Sequence, residues 1–141
     1  MEVRRVLVPV RGTQADDWAL ELAVSLSRKK GAHILAVYVV EVSRSLPLDV
    51  QISAEVRQGN QVLDRIQGLA NDLDYEVEAD LLQAREVGPA LVDEAVEKGV
   101  DLIIMGVPYK RRFGEFSLGR VAPYLLKNAP CRVLLVREPQ P

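Results

Sequence analysis

One cysteine, one histidine and few aromatic residues (5%) are what this 141-residue sequence has least of. Cys131 alone cannot close an internal disulfide, and Cys131 with His33 falls short of an ordinary zinc site. Charge of one sign is lacking too: 18 Lys and Arg stand against 20 Asp and Glu, a net charge of -2. That near-balance removes the bulk attraction a nucleic acid or an anionic bilayer relies on, so no nucleic-acid partner is expected. No apolar run approaches the ~20 residues of a membrane-spanning helix, so no direct membrane insertion is expected either. The opening Met1-Glu2-Val3-Arg4-Arg5 lacks the apolar stretch of a secretory leader, and a reducing, cytoplasmic setting is the expectation.

Common catalytic and phosphate-binding motifs are missing as well. There is no G-x-x-x-x-G-K-[ST], and the first turn holds a single Gly12 in place of G-x-G-x-x-G. No G-x-S-x-G elbow occurs. The first strand ends in Val10-Arg11, where a phosphoacceptor receiver would carry acidic residues. His33 opens a strand and Cys131 follows Pro130, positions that suit packing better than chemistry. No base, nucleophile and orienting group assemble at the strand ends, so an enzyme is not expected.

What the sequence does have is alternation. Val6 to Val10 is a short, continuously apolar run, as a strand buried on both faces requires. Pro9 lacks a backbone donor, which predicts that hydrogen bonding stops near Val8. Thr13 or Asp16 then suits an N-cap, and Leu20, Ala23, Val24 and Ser27 follow at helical spacing up to Gly31. Ile34 to Val40 is a second strand; Val62, Ile66, Leu69 and Leu73 mark a helix. Tyr75 to Leu82 alternates, with acids at 76, 78 and 80, and reads as a half-exposed edge strand. A helix from about Val87 to Lys98 precedes the strand Asp101 to Gly106. A basic, glycine-containing loop leads to a helix marked by Leu118, Val121, Ala122, Leu125 and Leu126, and Arg132 to Val136 is the last strand.

Five strands alternating with four helices predict an α/β fold: a doubly wound, five-stranded parallel sheet with helices on both faces. One domain over residues 1–138 with a short tail at 139–141 accounts for the whole sequence. Ligands of such sheets bind beyond the strands' carboxyl ends, which directs attention to Arg11 to Thr13, Val39 to Glu41, Gln83 to Arg85 and Gly106 to Leu118. In the last segment glycines permit close backbone approach, a helix N-terminus favours anions, and Lys110, Arg111, Arg112 and Arg120 add positive charge. A plain solvated loop is the alternative.

At this point the sequence resembles the universal stress protein family over nearly its whole length. "VLVPVRGT" resembles the family's opening strand, usually V-P-V-D-G-S or T; "ILAVYVVE", "VDLIIMG" and "LLKNAPCRVLLVRE" resemble its second strand, its fourth strand and its closing helix and strand. The resemblance implies an adenine nucleotide alpha hydrolase-like fold with strand order 3-2-1-4-5, and a homodimer through the last strand, Val133 to Val136. ATP-binding members carry G-x-x-G-x9-G-[ST]; here Gly106 and Gly119 keep the outer spacing, but Tyr109 and Arg120 replace the second glycine and the closing Ser or Thr. Arg11 stands where those members place an Asp against the nucleoside. The resemblance and these departures together lead to two alternatives. In one, a regulatory module of the stress response holds an adenine nucleotide, with AMP or a cyclic nucleotide favoured over ATP. Its base would rest on Val10, Val39 and Met105 beside Pro9 and Arg11, and its phosphate would face Gly106, Gly119, Arg120 and Val121. In the other, Arg11 pairs with Asp16, Asp17 or Glu41 and fills the pocket, and the chain is a non-nucleotide-binding dimer that docks on a protein, such as a membrane transporter, through Tyr109, Phe113 and Phe116.

Overall fold

The computed structural model describes residues 2–108, 111–112, 115–116 and 118–138. Its main sheet holds β1 (Arg5–Pro9), β2 (His33–Glu41), β3 (Val77–Ala84), β4 (Leu102–Gly106) and, last in the chain, β7 (Arg132–Val136). All are parallel, in the order β3-β2-β1-β4-β7, which is the 3-2-1-4-5 order of the main strands. Four helices connect them: α1 (Gln14–Ser27), α2 (Ser53–Asp72), α3 (Val87–Glu97) and α4 (Val121–Asn128).

The continuous apolarity of the strands has a direct cause. Along β1, Val6 and Val8 face a core formed with Leu20 and Val24 of α1 and Ile66 of α2, while Leu7 faces Leu91 and Ala95 of α3 and Leu125 of α4. A period-2 strand covered on both faces has no position left for a polar residue. Each fully buried Leu, Ile or Val contributes about 1.5–3 kcal/mol from apolar area removed from water. Among the described residues β3 has a strand partner on one side only, and its alternating acids follow from that edge position.

Two expectations are corrected. Pairing does not stop at Val8: Pro9 remains in register with Val37. The Val10 N–H donates to the Val37 carbonyl at 2.9 Å, so the alternate residue Pro9 turns its donorless nitrogen towards β4, where register pairing ends at Leu7 and Ile103. The basic segment after β4 is not wholly loop either. Arg111–Arg112 (β5) pairs antiparallel with Glu115–Phe116 (β6) in a two-stranded ribbon. Among the described residues, no helix is long and apolar enough to cross a membrane.

Candidate functional site

Two adjoining hollows open where the carboxyl ends of β1, β2 and β4 meet α3 and α4. The inner one, about 240 Å³, has walls of Pro9, Val10 and Arg11 from the end of β1, Val37, Tyr38, Val39 and Glu41 from β2, and Met105 from β4. Val87 and Leu91 of α3 and Val121 of α4 close it. Apart from Arg11, Glu41 and Tyr38, whose ring packs against Gly59 on the other face of the sheet, its lining residues are apolar. The outer one, about 450 Å³, shares Arg11, Glu41, Val87 and Val121 and adds Glu86, Gly88, Pro89, Arg120 and Tyr124. An apolar slot opening into a charged vestibule is the general form of a small-molecule site.

The structure thus gathers Pro9, Val10, Arg11, Val39, Met105 and Val121 around the inner hollow, and Arg120 joins them around the outer one. Gly106 and Gly119 are not among the residues lining either hollow. Gly106 is buried at the end of β4, where a Cβ would lie 1.8 Å from the Ala15 carbonyl oxygen. Its missing side chain lets α1 seat on the sheet. Gly119 has φ +73°, a left-handed turn leading into α4 that suits glycine. Tyr109, Lys110 and Phe113, and the side chains of Arg111, Arg112 and Phe116, lie outside the described residues.

The loop after β1 is organised by a residue that sequence reasoning considered only as a helix cap or a partner for Arg11. Asp16, at the third position of α1 and 3% exposed, points its carboxylate back under the loop. It accepts the backbone N–H groups of Arg11 at 3.1 Å, Gly12 at 2.7 Å and Thr13 at 3.2 Å. Gly12 takes φ +93° to turn the chain there. Burial raises the Asp16 pKa, and the three amides and the Arg65 charge pull it back. The acid that fills this ring of amides therefore belongs to the chain itself. The only signal in the sequence was an acid three residues after Thr13, the spacing of a capping box.

Among the described residues the Arg11 side chain makes no hydrogen bond or ion pair. Asp17 pairs instead with Arg65 at 2.8 Å, and among the described residues Arg11 enters no ion pair with Asp16, Asp17 or Glu41. It lines the hollows and does not plug them, contrary to one of the two sequence expectations. Glu86 pairs with Arg44 at 3.7 Å. His33 is exposed at the start of β2, at the opposite end of the sheet. Cys131 is half-buried; burial first, and then the Asp101 carboxylate, pushes its thiol pKa up, which disfavours a nucleophilic thiolate.

A model of the universal stress protein family matches residues 2–137. A universal stress protein of Methanocaldococcus jannaschii is 27% identical over 143 residues, covering 97% of this chain and 84% of its own. A crystal structure from the same family, from Burkholderia pseudomallei, is 28% identical with a TM-score of 0.73, covering 95% of this chain and 96% of its own. A universal stress protein from Archaeoglobus fulgidus in complex with dAMP shares the fold at 20% identity and a TM-score of 0.72, covering 96% and 98%. Others of this fold were solved with cAMP (17% identity, TM-score 0.73) and, from Arabidopsis thaliana, with AMP (20%, 0.67).

Proposed function

The chain belongs to the universal stress protein family, and from that premise we propose that it is a regulatory binding module of the stress response that holds an adenine nucleotide in the paired hollows. The observation that carries this reading is the apolar 240 Å³ slot opening onto Arg11 and Arg120. The slot suits a flat heterocyclic base between Val10, Val39 and Met105. The two guanidiniums suit a phosphate, which each can grip through two parallel hydrogen bonds. The complexes of relatives with dAMP, cAMP and AMP support the same ligand class.

Charge favours a ligand with one phosphate. Arg11 and Arg120 face Glu41 and Glu86, and Glu86 already has Arg44 beside it. Among the described side chains the vestibule is left with a surplus of about one positive charge, which matches a monophosphate or cyclic phosphate better than a triphosphate. The loop amides that would otherwise help are filled by Asp16. Binding would shift the population of partner-binding conformations, with no chemistry involved.

The accompanying proposals are a single domain over residues 1–138, a cytoplasmic location and a homodimer through the outer edge of β7. Among the described residues no strand lies beside that edge, and Leu134 of β7 (37%) and Leu126 of the preceding helix α4 (55%) are exposed. Sedimentation velocity reads the dimer mass directly. Filling of the loop amides by Asp16 also favours a second reading, in which the hollows stay empty and the dimer docks on another protein, for example a membrane transporter.

Thermal denaturation with AMP, cAMP and ATP at millimolar concentration separates the two. The nucleotide reading expects AMP or cAMP to raise the melting temperature by several degrees and ATP by less. A panel that leaves the melting temperature unmoved sinks it.

A further inference from the structure

Building on the nucleotide reading, we propose that Glu41 selects the sugar, accepting the ribose hydroxyls of the bound nucleotide at the mouth shared by the two hollows. Arg11 and Glu41 are the two charged residues that line both hollows. Arg11 lies just beyond the end of β1, and Glu41 is the last residue of the neighbouring parallel strand β2, whose Val37 stands beside Pro9. Along β2, Val37 and Val39 pack on the α3 and α4 side, and Glu41 continues that period-2 series to the rim.

The chemistry follows from what each side chain offers. A guanidinium only donates and a carboxylate only accepts. A nucleotide presents the complement: sugar hydroxyls that donate and phosphate oxygens that accept. With the base in the apolar slot, the sugar comes to the rim, and its hydroxyls need an acceptor there.

Among the described side chains lining the hollows, Glu41 is the carboxylate not otherwise employed; Tyr124, which also carries an oxygen, lines the outer hollow only. The Tyr38 ring is turned away from the slot, packed against Gly59 of α2 on the other face of the sheet. Glu86 lines the outer hollow alone and pairs with Arg44. The Asp16 carboxylate is occupied by three backbone amides. Glu41 enters no ion pair or hydrogen bond through its carboxylate among the described residues, and it is exposed, so its replacement leaves the core untouched.

The test is calorimetric titration of the whole chain with AMP and with 2′,3′-dideoxy-AMP, which lacks both hydroxyls. Wild type is expected to prefer AMP about tenfold, the loss of one to two good hydrogen bonds. Glu41→Ala is expected to bring the two affinities together by weakening AMP alone, and Glu41→Gln, which keeps one acceptor oxygen, to fall between. Unchanged melting temperatures of the unliganded variants confirm that the fold is intact. Wild type that binds both nucleotides equally, or Glu41→Ala that keeps the tenfold preference, overturns the role of Glu41 and leaves the nucleotide reading standing. Wild type that binds neither overturns both.

Discussion

The Asp16 carboxylate receives the Gly12 backbone N–H at 2.7 Å, the shortest of three such contacts that tie the first turn of α1 to the end of β1. A helix acid is thereby used as the floor of a loop, and the same loop carries Arg11 to the rim of the hollows. Removing that acceptor takes the partner from three part-buried backbone donors at once. Asp16→Ala is expected to destabilise the fold by about 1–3 kcal/mol, the cost of lost charge-assisted hydrogen bonds that water replaces only in part. Urea unfolding measures it; a loss under about 0.5 kcal/mol, the ordinary range of a surface substitution, contradicts the role given to the carboxylate.

Gly106 makes a second, more severe prediction. Its Cβ position lies 1.8 Å from a backbone carbonyl of Ala15, so no rotamer change relieves the clash. Either α1 moves off β4 or the variant fails to fold. Gly106→Ala is expected to cost about 3 kcal/mol or more, at the upper end for single substitutions. By contrast the nearest atoms that Gly88→Ala would meet belong to the Tyr124 side chain, from 2.6 Å at the ring to 3.2 Å at Cβ, and it is expected to cost less because a side chain yields more readily than a backbone carbonyl. Equal melting temperatures for the two variants would contradict this ranking.

The third prediction concerns pH. Glu94 of α3 is 5% exposed, and its Oε2 has no hydrogen-bond partner among the described residues. Burial first, and then the hydrogen bond and charge of Asp80 on β3, push its pKa up from 4.5 to about 7; Glu97 adds to this and Lys98 opposes it. The folded state thus holds a proton that the unfolded chain releases near 4.5. Its contribution is fully present below pH 4.5, declines as pH rises, and is gone above about 7. A shift of that size corresponds to about 3 kcal/mol. Glu94→Gln, which keeps the shape without the charge, is expected to gain on wild type between pH 5 and pH 8, read as the difference in melting temperature. Parallel pH profiles for the two proteins would refute it.

Much of the architecture was legible before any coordinates. The inner strands were visible because burial on both faces forbids polar residues, and the partly buried β7 was found at Arg132 to Val136, the residues it occupies, from its apolar run alone. The edge position of β3 was legible for the converse reason, its acids at 76, 78 and 80. Glu41 was legible only as part of the segment Val39 to Glu41; its place at the rim of both hollows, the loop-filling role of Asp16 and the packing role of Gly106 were not. Each depends on which residue from a distant element stands opposite. Glu41 at a strand end, an acid in a first helical turn and a glycine after a strand all have ordinary local explanations.

The order of apolar runs and helical stripes therefore determined the layers of this protein and the end of the sheet where a ligand would sit, because hydrophobic period is a local property that survives in one dimension. Whether that end is open, which carboxylates are spent on the chain's own amides, and which are left for a guest were decided by tertiary structure. Those outcomes depend on distances of a few ångströms between residues far apart in the chain. Glu94 meeting Asp80 across α3 and β3 is one such outcome; Arg11 lining the hollow with no ion pair among the described residues is another.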